Sequence, residues 1–110
     1  MNQVILIGRA GKDAEVRYTA GGTAVASFSL ATTKRFRDKA GDLKEKTAWH
    51  TLVCWGKTAE IAAEFVCKGK QVAIKGEIEY SEYEKDGQKL YKTEIVVEEL
   101  ELLSGGPKRD

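Results

Sequence analysis

Two tryptophans, Trp49 and Trp55, bracket the run Trp49-His50-Thr51-Leu52-Val53-Cys54-Trp55. In an extended strand this spacing puts both indoles on one face with Thr51 and Val53, and His50, Leu52 and Cys54 on the other. The second set suits an interior. The indoles then lie on the face a small barrel gives to water, where an apolar patch marks a contact surface. Flat aromatic rings can stack on the π-faces of bases whatever their identity. Cover by a helix or a partner subunit is the alternative that periodicity leaves open. Phe36, set among Lys34, Arg35 and Arg37, has the company a stacked base and its flanking phosphates require. Tyr83 could supply another platform. Its neighbours Glu79, Glu82 and Glu84 would repel phosphate, and cross-strand packing is its alternative role.

Other chemistry finds little support. His50 is the only histidine. With Cys54 and Cys67 it makes at most a three-ligand set, without the short paired spacing of a zinc site. It reads as a hydrogen-bonded structural residue. The carboxylates form no catalytic motif, and no phosphate-binding glycine loop is present. We expect no enzymatic activity, cofactor or metal. Cys54 and Cys67 lie in apolar runs and read as buried thiols in a reducing compartment. Neither a signal peptide nor a run of membrane-spanning length is visible, so the expected location is cytoplasmic, on the nucleoid.

The net charge of +1 proposes no polyanionic partner by itself, but the charge is segregated. Lys34 to Lys46 holds six cations against three acids, and Glu77 to Asp86 holds five acids against Lys85 alone. The first segment could face phosphates; a solvated hairpin is the plainer reading.

The elements that must position these residues follow from pattern. Val4 to Ile7 is an apolar strand, and Gly8 and Gly11 after it suggest a bulge or bend. Gly21-Gly22 is a turn. Thr23 to Phe36 alternates, with Ala24, Ala26, Phe28 and Leu30 on one face. Asp38 to Leu43 reads as a hairpin loop and Thr47 to Trp55 as a third strand. Gly56-Lys57-Thr58 opens a helix with Thr58, Ile61, Ala62, Phe65 and Val66 on one face and Gly69 as its C-terminal cap. Gln71 to Glu84 is a fourth strand, Asp86-Gly87 a hairpin turn, and Leu90 to Leu103 a fifth strand. An all-β, five-stranded antiparallel set with one helix between strands three and four has the order of the OB-fold barrel. One domain over residues 1–103 is expected, followed by a short disordered tail, 104–110.

Taken in order, several runs are specific: Asn2-Gln3-Val4-Ile5-Leu6-Ile7-Gly8, Asp13-Ala14-Glu15-Val16-Arg17-Tyr18, Leu30-Ala31-Thr32, Thr47-Ala48-Trp49-His50 and Phe65-Val66-Cys67-Lys68-Gly69. On these the chain closely resembles the bacterial single-stranded-DNA-binding protein family, from Asn2 to about Leu103. The resemblance implies a homotetramer of OB folds that wraps single-stranded DNA in replication, recombination and repair, without strong sequence preference. It implies stacking roles for Phe36, Trp49, Trp55 and Tyr83, and phosphate contacts for Lys34, Arg35, Lys57 and Lys68, beside Arg37. Many members carry Trp where this chain has Phe36 and Tyr83, and Phe is common where it has Trp55. All four keep a π-face. Glu79 and Glu82 depart from the pattern, since many members are basic there. The family's linker and acidic, Phe-ending tip are not seen after Lys108-Arg109-Asp110, so tail-mediated recruitment of enzymes is not expected. An OB-fold accessory protein for RNA or a primosome partner, and a protein-interaction module using the Trp49/Trp55 face, are the alternatives.

Association is also expected from the first strand. Val4 and Leu6 face one way, Ile5 and Ile7 the other, whereas a barrel strand needs only one apolar face. A second copy would supply the missing cover and satisfy an otherwise open strand edge.

Overall fold

The computed structural model describes residues 1–103; the tail predicted for 104–110 lies outside them. The described chain forms β1 (Val4–Ala10), β2 (Glu15–Tyr18), β3 (Ala24–Arg37), β4 (Leu43–Trp55), α1 (Gly56–Phe65), β5 (Gln71–Lys85) and β6 (Gln88–Leu102). The sheet order is β1-β5-β6-β4-β3-β2, and a further β1–β3 pairing closes it into a barrel.

The predicted first strand, Val4 to Ile7, runs on to Ala10, and a further strand that was not predicted, β2, follows it. β1 pairs through Arg9 and Ala10 with Ala31 and Leu30 of β3, and β2 continues along the same strand from Glu15↔Ser27 to Tyr18↔Ala24. The break falls at Gly11, as its glycine suggested. The alternation Glu15-Val16-Arg17-Tyr18 was the available signal for β2, but all four residues are exposed, so no core face marks them. With β1 and β2 as one path the barrel has five walls, and the helix follows the third of them.

One pairing is not antiparallel. β4 meets β6 in parallel, at Leu52↔Ile95 and Val53↔Val96. A closed ring with an odd number of strands cannot alternate direction throughout, so one neighbouring pair must run parallel.

The interior holds Ala26, Phe28, Leu30, Leu52, Cys54, Val72, Ile74, Ile95 and Val97, closed at one end by Ala59 and Ala62 of α1 and by Val66. Of the expected helix face, Ala62 is buried, while Phe65 is turned out and 43% exposed. Gly69 does not cap this helix. The helix ends at Phe65, its cap Val66 donates its N–H to Ala62 O, and Gly69 sits at positive φ in the tight turn closed by Lys70 N–H to Cys67 O. The Asp86-Gly87 turn forms as expected, with both residues at positive φ between Lys85 and Gln88.

The two long hairpins outrun the barrel. β3 is buried or half-buried to Thr32 and exposed beyond it, and β5 is exposed from Glu79 on. The β3–β4 ladder continues to Arg37↔Leu43, so the loop shrinks to Asp38–Asp42 and the third wall begins earlier than Thr47. Asp38 shapes that loop, accepting from the N–H groups of Ala40 and Asp42. Asn2, to which the sequence assigned no structural role, clips the N-terminus to β5 by exchanging two hydrogen bonds, 2.8 and 3.0 Å, with the backbone of Ile78.

Candidate nucleic-acid interface

β4 divides as its alternation predicts. Leu52 and Cys54 are fully buried and His50 is half-buried, while Trp49 is 63% and Trp55 50% exposed on the outer face. Six residues of strand set the indoles about 20 Å apart. Trp49 stands opposite Ala31 of β3 and lies against Gly11; Trp55 stands opposite Val25. Val53, between them, is buried, so the face is not evenly open. A groove of about 180 Å³ on this side is lined by Lys12, Glu15, Ser27, Phe28, Ser29 and Thr51. Lys12 was passed over because it is isolated in sequence; it comes to the groove only through the β1–β2 break, and it pairs with Glu15 at 3.2 Å.

The β3–β4 arm carries the basic segment, and its register sorts it into two faces. Phe36 stands opposite Lys44 and Lys34 opposite Lys46, with the parity of the barrel's inner face; Arg35 stands opposite Glu45 and Arg37 opposite Leu43, with the parity of Trp49. Phe36 is 42% exposed. Arg35 donates from Nε to Glu45 Oε1 at 3.1 Å, and Arg37 donates from Nη1 to the Gly41 carbonyl at 2.9 Å. The cations grouped by sequence therefore differ in availability.

Tyr83, 46% exposed, pairs with Leu90 on the β5–β6 arm and shares its face with Glu79. Glu82 has the opposite parity and pairs with Lys89 at 3.5 Å. On that opposite face Tyr80 and Tyr91 are 75% and 73% exposed at diagonal ladder positions. Neither was singled out in the sequence, although Tyr80 continues the parity of the core residue Ile78. Glu79 stands directly opposite Glu94, which pairs with Lys92 at 3.2 Å.

Lys57 and Lys68 are exposed at opposite ends of α1 and are not brought together. Lys57 follows Trp55 by two residues. Lys68 lies in the turn beyond the helix, where its backbone N–H donates to Asp13 Oδ1 at 3.0 Å.

His50 has a structural partner, since its Nε2 lies 2.9 Å from Thr32 Oγ1. Cys54 and Cys67 are both buried. Burial pushes the Cys54 thiol up to about 12, so it stays protonated at neutral pH. Among the described residues no group of histidine, cysteine and carboxylate side chains could hold a metal ion, and no helix is long and apolar enough to cross a membrane.

Residues 1–103 match the Single-strand binding protein family. The chain is 43% identical to single-stranded DNA-binding protein 1 of Chlorobaculum tepidum over its whole length, covering 72% of that protein. It is 44% identical to the single-stranded DNA-binding protein of Xylella fastidiosa over 96% of this chain, and spans 65% of that relative's length. The structure of the Plasmodium falciparum SSB complex with ssDNA is similar at a TM-score of 0.87 and 31% identity, covering 94% of this chain and 96% of that one.

Proposed function

This chain is a member of the single-strand binding protein family, and we propose that it binds and protects single-stranded DNA with little sequence preference, in replication, recombination and repair. The observation that carries this reading is the pair of exposed indoles, Trp49 and Trp55, along one outer strand of a closed barrel. A barrel needs no aromatic rings there for its own stability, and stacking on them takes any base. Tyr83 adds an aromatic ring on the β5–β6 arm, and Phe36 adds one on the β3–β4 arm with the opposite parity to Trp49. Lys34, Arg35, Arg37, Lys57 and Lys68 supply cations around it. The similar P. falciparum structure, which is a complex with ssDNA, supports the reading. The role is binding without chemistry. Two buried cysteines suit the reducing cytoplasm.

The working form is a homo-oligomer, with a tetramer as the family resemblance implies. Val4 and Leu6 pack against the core, while Ile5 and Ile7 stay 67% and 57% exposed on the outer face. Beside Ile5 a groove of about 470 Å³ runs over Ala73, Ile74, Lys75 and Leu100 between Glu99 and Glu101. A second copy laid across this face would cover both isoleucines.

Titration of the intrinsic tryptophan fluorescence with oligo(dT) tests the function. Saturable quenching that weakens with salt is expected. An unchanged signal, or equal competition by an RNA of the same length, would overturn it, because 2′-hydroxyl contacts are what distinguish an RNA-directed site.

A further inference from the structure

We infer that the phosphate-holding element of the β3–β4 arm is the cross-strand pair Lys34 and Lys46, and that Arg35 and Arg37 hold the arm together instead. The inference rests on the proposed single-stranded DNA binding and names the residues within it. Lys34 and Lys46 are direct ladder partners, both exposed, on the face that also carries Phe36. Like charges directly opposite one another disfavour a hairpin. Among the described residues the arm's ion pairs are Arg35–Glu45 at 3.1 Å and Lys44–Asp38 at 4.0 Å, and neither involves Lys34 or Lys46. Among the described residues the two ammonium groups have no ion-pair partner.

A bound anion changes the sign of this arrangement. Paired β-carbons about 5 Å apart let two lysine side chains converge on one phosphate or on consecutive ones. Phe36 is two residues from Lys34 on the same face, about 7 Å along the strand. A nucleotide can therefore stack its base on Phe36 while its phosphates lie against the lysine pair. Arg35 and Arg37 have the other parity. Arg35 must give up Glu45, and Arg37 the Gly41 carbonyl that closes the loop, before either can hold phosphate. The sequence counted Lys46 in the basic segment Lys34 to Lys46 without pairing it with Lys34, because it is twelve residues further on and on the returning strand.

The two states respond oppositely, and this supplies the test. Lys34→Gln, Lys46→Gln and Arg35→Gln are compared in the full chain by oligo(dT) titration across a salt series, and by thermal melting without DNA. Each lysine variant should lower the log–log salt slope by about 0.7, the value for one contact to a single strand, and should melt at the same or a higher temperature because repulsion is relieved. Arg35→Gln should leave the slope nearly unchanged and melt lower. A parent that binds, with a slope unchanged in Lys46→Gln, would overturn this inference alone and show the lysines to be solvated. Loss of slope in Arg35→Gln equal to that in the lysine variants would overturn it as well. A parent that fails to bind overturns the functional reading, and this inference with it.

Discussion

The Trp49 indole rests on Gly11: a Cβ at that position would stand 2.6 Å from the ring's Cζ3 and 2.8 Å from Ser29 Oγ. Gly11 also donates its N–H to the Ser29 carbonyl at 2.9 Å, which anchors the break between β1 and β2 against β3. The glycine thus bends the strand and seats the aromatic platform. Gly11→Ala should leave the barrel folded, because both clashing atoms end side chains that can move, at a cost of about 1 kcal/mol. The displaced indole should weaken single-strand binding although no aromatic residue has been removed. Melting curves and oligo(dT) titration read the two effects separately; unaltered affinity would show that the seat does not matter to the ligand.

Removal of single platforms should give comparable losses. Trp49→Ala and Phe36→Ala are each expected to cost roughly 1–3 kcal/mol of binding, the usual worth of one base–aromatic stack. Both side chains are largely outside the core, so cooperative unfolding should persist. Binding as tight as the parent's at matched salt would remove the residue concerned from the site.

The two faces of β1 now make distinct predictions. Val4→Lys with Leu6→Lys places charge against the core cluster and should prevent folding. Ile5→Lys with Ile7→Lys alters only the outer face and should yield a folded species of smaller mass. Light scattering measures the mass. A monomer in the unmodified protein at micromolar concentration would refute the oligomer.

Stability at alkaline pH should report on Cys54. Its thiol is raised from 9.0 to about 12 by burial, so the folded state keeps a proton that the unfolded chain releases. The contribution is complete below about pH 9 and is lost as pH rises toward about 12, by up to roughly 4 kcal/mol. Denaturant unfolding at pH 7 and pH 10.5 should show a fall in the parent that is smaller in Cys54→Ala. Equal falls in both would assign the alkaline loss to other groups.

Much of this protein was legible along the chain, for reasons that are local. Alternation in Thr23 to Phe36 and Thr47 to Trp55 assigned the inner and outer faces, because side-chain direction in a strand has period two. Asp86-Gly87 announced its turn because few other pairs adopt positive φ twice. Spacing put Trp49 and Trp55 on one face and left open whether a helix covers them; the structure leaves both exposed. Only the tertiary structure decided the rest. β2 has no buried face, and its strand exists because β3 offers hydrogen-bond partners. Gly69 looks like a helix cap but serves a later turn, because the helix stops when Val66 is drawn into the core. The pairing of Lys34 with Lys46, the engagement of Arg35 by Glu45 and the seat of Trp49 on Gly11 all depend on strand register. Register is set by which residues the closed barrel can bury together, a property of the whole sheet that no window of sequence contains.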